Sequence, residues 1–323
     1  MLKIKLILSC FVNLCHNFLK KVIYLKMNQN IDVSSLGGAV SLSIKREDLL
    51  HPIISGNKYR KLKYNVAHVL QRSQKCMLTF GGAYSNHIAA VAAAGKLNNL
   101  KTIGVIRGEE LTGMYTQNPT LRYAKQQGMQ LVFVSRAQYA LKNTPAFLKM
   151  LHDSFGNFYT IPEGGTNDLA VKGCAEILTP KDAHYDYICL STGTGGTMAG
   201  VVSSLKEHQK AIGFSALKGT FQDQVVSKYT SNKNYSITDA YCFGGYAKVD
   251  PSLIEFINTF KQTYGIGLDP VYTGKLLYGV FDLIKKDYFN KNSRILALHT
   301  GGMQGISGMN LKLKKKNLPL INV

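Results

Sequence analysis

The chain lacks the features that would place it in a metal, dithiol or membrane class. Its six cysteines form no C-x-x-C pair, and no Cys/His spacing resembles a zinc site. Cys76 and Cys189 lie in apolar runs that read as buried strands, where a cysteine behaves as a small hydrophobe. This usage fits a reducing, cytoplasmic setting. No apolar run reaches the roughly 18–20 residues needed to span a bilayer, so stable membrane insertion is not expected. "LILSCFVNLC" (Leu6–Cys15) follows Lys3 and Lys5, but it contains Asn13 and offers no small-residue cleavage site. Residues 1–26 are expected to be a leader or a misassigned start outside the fold, because the sequence turns polar at Met27.

Acidic side chains are also scarce, 19 against 39 basic ones, which leaves a formal charge of +20. A surplus of that size raises a nucleic-acid partner. Its distribution speaks against one. Five of the lysines lie in residues 1–26 and four more in "LKLKKK" (Leu311–Lys316), and neither run interleaves aromatics as a stacking platform would. The remainder shows no arginine stripe, so no nucleic-acid partner is expected.

What is present is a globular composition, 45% hydrophobic and 18% charged, on a length that suggests about two domains. From Gln74 onward, "KCMLTF", "KTIGVI", "QLVFV", "YDYICLS" and "RILALHT" read as buried strands. Between them, "SNHIAAVAAAGKLNN", "NPTLRYAKQQG" and "GTMAGVVSSLKEH" read as helices. Strand–glycine–helix alternation predicts an α/β protein with parallel sheets and ligands at the carboxyl ends of its strands.

Three strand-to-helix loops are candidates: "TFGGAYSNH" (Thr79–His87), "LSTGTGGTMAG" (Leu190–Gly200) and "LHTGGMQG" (Leu298–Gly305). In the second, Gly193, Gly195 and Gly196 permit a tight turn. Thr194 and Thr197 add hydroxyls beside backbone N–H groups at a helix start, which makes a phosphate cradle. No Lys-Ser/Thr pair follows, and no ribose-binding acid accompanies a G-x-G-x-x-G pattern, so nucleotide signatures are missing. Upstream, "SGNKYRKLKY" (Ser55–Tyr64) carries Lys58, Arg60, Lys61 and Lys63. Such a run is by itself a solvated helix face. Beside a phosphate cradle it also suits pyridoxal 5'-phosphate, a cofactor that needs both a phosphate site and a lysine.

"IKREDLLHPIISGNKYRKLKY", "TFGGAYSNH", "TGTGGTMAG", "LDPVYTGK" and "LHTGGMQG" occur in one order over nearly everything from Ser43 to Met309. Together they resemble the 1-aminocyclopropane-1-carboxylate deaminase/D-cysteine desulfhydrase family. The resemblance implies a two-domain pyridoxal-phosphate enzyme of the tryptophan-synthase-β-like type. Residues 65–150 would form a small inserted domain, with 27–64 and 151–323 as the large one and a homodimer as the assembly. It implies that Lys58 bears the cofactor, with Arg60 and Lys61 depressing its pKa and Lys61 also reaching the phosphate. Lys63 reads as a surface residue. Ser85 would contact substrate and accept a proton, and Asn86 would bond the cofactor's phenolic oxygen. Ser85, Asn86 and His87 make up the substrate loop, although Ser85 could be only a helix cap and the part played by His87 is open.

Gly193 to Thr197 match the family's phosphate loop, and Tyr246 and Tyr272 its two catalytic tyrosines. Thr273 and Thr300 would meet the pyridine nitrogen. Glu163 reads as structural. Two departures stand out. Ala89 replaces an arginine that often follows the "SNH" motif, and Thr273 stands where the deaminase branch has a glutamate. A neutral hydroxyl would make the ring a weaker electron sink, which favours expelling a thiolate over opening a cyclopropane. The expected reaction is therefore β-elimination from D-cysteine to pyruvate, ammonia and hydrogen sulfide. The alternatives are 1-aminocyclopropane-1-carboxylate deaminase and a non-catalytic cofactor-binding or basic interaction protein on the same fold.

Overall fold

The computed structural model describes residues 27–72 and 75–322; the expectations on residues 1–26 fall outside them. Among the described residues, ten strands form two sheets. Six of them, β1 (Asn28–Ile31), β2 (Ser41–Lys45), β7 (Tyr187–Thr192), β8 (Lys210–Ser215), β9 (Tyr235–Thr238) and β10 (Arg294–Leu298), pair in the order β1-β2-β10-β7-β8-β9. Only β1 runs antiparallel to its neighbour. The other four, β3 (Cys76–Gly81), β4 (Lys101–Arg107), β5 (Gln130–Val134) and β6 (Tyr159–Ile161), make an all-parallel sheet in the order β5-β4-β3-β6. The second sheet takes β6 from beyond residue 150, so the smaller layer extends past the boundary expected there.

Continuous apolar runs become strands here because both faces of each sheet are covered. Along β10, Ile295 and Ala297 face a core built with the Pro251–Tyr264, Thr273–Lys285 and Gly305–Lys315 helices. Leu296 and Leu298 face the opposite core, with Val171 and Cys174 of the Asp168–Ala175 helix and Met198 and Val202 of the Gly196–Ser203 helix. The small sheet repeats the plan: Met77 packs to one side, Leu78 and Phe80 to the other. Each large apolar side chain removed from water in this way contributes about 1.5–3 kcal/mol. The packing fixes where the strands end. The loops after β3, β7 and β10 and the last residue of β4 open onto one cleft between the sheets.

Among the described residues no helix is long and apolar enough to cross a membrane, and no cluster of His, Cys, Asp and Glu could hold a metal ion. Cys189, on β7, is fully buried, and burial raises its thiol pKa far above the usual range.

Candidate active site

The cleft has a volume of about 1040 Å³ and takes Lys58 from the first turn of the Asn57–Gln71 helix. Gly56 makes that helix start possible. Its φ is 59°, and a Cβ there would lie 2.0 Å from the Thr300 carbonyl oxygen, so the "SGNK" turn can seat on the "LHTGG" loop only with glycine. Asn57 ties the loops together. Its amide nitrogen donates to Thr197 Oγ1 at 2.9 Å, and its carbonyl oxygen accepts from Lys58 Nζ at 3.0 Å. Burial, and secondarily the charge of Lys61, lowers the Lys58 pKa to about 7.

Of the neighbouring cations, Arg60 differs from expectation. Arg60 does not act on Lys58, because its guanidinium makes two 2.8 Å bonds to Glu47, which is fully buried. Lys63 pairs with Glu176 at 2.6 Å. Lys61 is buried, and its ammonium donates to the Gly164 carbonyl at 2.8 Å and to Thr166 Oγ1 at 3.3 Å. Thr166 Oγ1 in turn lies 2.7 Å from Thr194 Oγ1, which puts Lys61 at the edge of the glycine cradle.

In the cradle, Gly193, Thr194, Gly195 and Thr197 line the cleft. Gly195 caps the Gly196–Ser203 helix in the left-handed region, φ 86°. Gly196 lies behind this surface, where a Cβ would come within 2.6 Å of Thr166 Oγ1. Opposite, Ser85 both lines the cleft and caps the Asn86–Leu97 helix, accepting from the Ile88 N–H at 3.3 Å. The cap uses the oxygen as acceptor, so the Ser85 O–H remains able to donate. His87 is buried; its Nε2 lies 2.9 Å from Thr79 Oγ1, which itself donates to the Ile161 carbonyl. Burial, then Lys58 and Lys61, holds the His87 pKa well below its ordinary value, so the ring is neutral. Ala89 is buried and does not line the cleft.

Tyr246 and Tyr272 meet at the cleft with ring centroids 6.3 Å apart and planes inclined at 66°. Tyr246 is 50% exposed at the mouth of the cleft. Burial raises both pKa values, Tyr272 most, so each stays a neutral phenol around pH 7.

A family model described as pyridoxal-phosphate dependent enzyme matches residues 30–301. The chain belongs to that family. It is 32% identical over 299 residues, 85% of this chain and 88% of the relative, to a Pyrococcus furiosus protein that carries a provisional 1-aminocyclopropane-1-carboxylate deaminase name. It is 28% identical over 304 residues, 85% of this chain and 75% of the relative, to the mitochondrial bifunctional D-cysteine desulfhydrase/1-aminocyclopropane-1-carboxylate deaminase of Arabidopsis thaliana. The solved structure of an ACC deaminase homologue superposes with a TM-score of 0.75 at 27% identity, covering 89% of this chain and 92% of that one. The fold is thus that of the tryptophan-synthase-β-like pyridoxal-phosphate enzymes, and the enzyme is a lyase or deaminase of that group.

The residues present suit a pyridoxal phosphate. Asn86 Oδ1 and Thr192 Oγ1 are buried beside the cleft with no protein partner, as acceptors awaiting a polar ligand would be. The cradle offers N–H groups at a helix start. Thr300 lines the cleft with its hydroxyl 3.4 Å from Ser191 Oγ. Thr273, expected at the ring nitrogen, does not line the cleft. It is fully buried, and its hydroxyl donates to Asp269 Oδ1 at 2.8 Å. That Asp269 carboxylate also accepts the backbone N–H groups of Val271, Tyr272 and Thr273 at 2.8–3.0 Å, which fixes the turn that presents Tyr272.

Sequence reasoning passed over Asn57, Arg107, Tyr139 and Asp269. Asp269 left a usable signal, an Asp followed by Pro just ahead of a helix. Arg107 and Tyr139 left none, since neither lies in a motif. Arg107 ends β4 and sets its guanidinium 5.6 Å from the Tyr139 ring. Among the described residues it pairs with no carboxylate. The nearby acids are taken: Glu110 bonds Arg136 at 2.7 Å, and Glu163 lies 3.3 Å from Lys142.

Proposed function

We propose that this enzyme carries out β-elimination and deamination of a small amino acid, with D-cysteine as substrate and pyruvate, ammonia and hydrogen sulfide as products. The observation that carries this reading is Lys58, an amine of pKa about 7 held between the glycine cradle and the Ser85 loop. Such an amine is about half neutral at pH 7, so it can form a covalent bond to a carbonyl and also move a proton at a substrate's α-carbon. Bound pyridoxal phosphate supplies an electron sink for the charge that develops on that carbon. Ser85 and Asn86 stand at a helix start, where donors favour the α-carboxylate. Tyr272 and Tyr246 keep their protons and orient the same end of the substrate. Arg107, a cation without a carboxylate, stabilises the departing thiolate.

The named relatives keep 1-aminocyclopropane-1-carboxylate deaminase as the second reading. Against it, each acid lining the cleft is already engaged: Asp269 by its own turn, Glu110 by Arg136, Glu163 by Lys142. None is free to hold a proton on a pyridine nitrogen, and a weak sink suits a good leaving group better than an unactivated ring. Assaying both substrates side by side tests the choice. Sulfide release from D-cysteine should exceed 2-oxobutanoate formation from the cyclopropane amino acid, and the reverse ratio would sink the D-cysteine reading.

A further inference from the structure

Tyr246 sits on a turn that the backbone resists. Phe243 and Ala247 have φ of 50° and 54°, and Gly244 and Gly245 between them have 85° and 117°. A left-handed conformation at a residue with a side chain is unfavourable and persists only where the surroundings impose it. The Thr273–Lys285 helix imposes it. Lys275 donates from its ammonium to the carbonyl oxygens of Cys242 at 2.7 Å and Gly245 at 2.8 Å. One turn on, the Tyr278 ring packs edge-on against Phe243 at 5.0 Å, and Asp282 accepts the Tyr241 hydroxyl at 2.7 Å. Lys275, Tyr278 and Asp282 are spaced to share one face of that helix.

Lys275 itself is hard to explain as packing. It is 2% exposed and forms no ion pair among the described residues, and the Asp269 carboxylate nearby is occupied by its own turn. A buried ammonium without a counter-ion costs folding free energy that an apolar side chain of similar volume would not. Both of its carbonyl partners belong to the strained turn, and Gly245 is bonded directly to Tyr246.

We propose that Lys275 is a positioning residue, a tethered cation that clamps the 242–247 turn and so sets the Tyr246 ring against Tyr272 in the cleft. This rests on the reading of Tyr246 as part of the reacting surface. A cation held by backbone carbonyls alone is replaceable by a small free cation, which a merely space-filling lysine is not.

The test is a double-mutant cycle in the holoenzyme with K275M, Y246F and the pair, together with hydrogen exchange of residues 242–247 and addition of methylammonium to K275A. K275M should lower kcat about tenfold with KM and cofactor absorbance little changed, and cost less than about twofold in the Y246F background. Exchange should quicken in the turn and nowhere else, and methylammonium should restore part of the K275A rate. Equal losses in both backgrounds, or unaltered exchange in the turn, would overturn the clamp. If Y246F alone leaves the rate intact, the reading of Tyr246 fails, while the exchange result still decides whether Lys275 holds the turn. Should K275M not fold, K275Q, which can still donate to one carbonyl, carries the same cycle.

Discussion

The two walls of the cleft are built on different principles. The wall around Lys58 is made of turns: Gly56 against Thr300, Gly195 at a helix cap, and Asn57 joining Lys58 to Thr197. The wall around Arg107 is made of long side chains that converge from separate elements, with Tyr139, Glu163 and Tyr246 arriving from three different loops or helices. The first wall tolerates little change, because backbone meets backbone. The second can be altered residue by residue without moving the chain. A cofactor common to many reactions belongs on the first, and substrate choice on the second.

Substitutions on the two walls should therefore fail differently. The largest effect is expected at Lys58: K58A should lose visible cofactor absorbance and about three or more orders of magnitude of activity. G56A comes next. Its methyl group would be forced onto the Thr300 carbonyl, so both cofactor retention and thermal midpoint should fall, by a few kcal/mol in stability. At Tyr272, which lies between Gly193 of the cradle and Tyr246 of the other wall, Y272F should keep the cofactor and lose about 10²-fold in kcat. R107Q should be milder, about tenfold in kcat/KM for D-cysteine, with little loss for a substrate whose leaving group is already stable, such as β-chloro-D-alanine. Equal losses for both substrates would place Arg107 on the α-carboxylate instead and dissolve the distinction between the walls.

A smaller effect concerns pH. The folded pKa of Lys58, about 7, lies below the ordinary lysine value of 10.5. Between those values the unfolded chain binds a proton that the folded apoprotein does not, so stability rises with pH across that window. Below about 7 both states are protonated and the cost of burying the charge is fully present. K58M apoprotein should therefore melt above wild type at pH 6 and lose that advantage towards pH 10. Thermal melts across the range check this, and a constant difference would show that the Lys58 pKa is not depressed.

The same contrast governs how much could be read from the sequence. Strands β3, β4, β7 and β10 were legible as apolar runs bounded by glycine loops, since burial on both faces leaves that mark, and β5 was legible by its apolar residues although it is only half-buried. The shorter, half-exposed β6 and β9 were not. The cradle was legible because tight turns demand glycine. Arg60 misled because its partner Glu47, thirteen positions upstream in the same motif, lies outside the helix that carries Arg60, so no helical spacing records the pair. Thr273 misled because a motif position does not say which way a side chain turns, and the Asp269 carboxylate captured its hydroxyl. Arg107 and Tyr139 meet only through tertiary folding, which no local pattern records.

The central claim is that one lysine, made reactive by burial at the junction of three loops, carries the chemistry. Reducing the holoenzyme with borohydride and mapping the labelled peptide tests it most directly. The cofactor should be found on Lys58 alone, within the peptide that begins at the "SGNK" turn. A label on Lys61 or Lys275, both also buried lysines of lowered pKa, would contradict it.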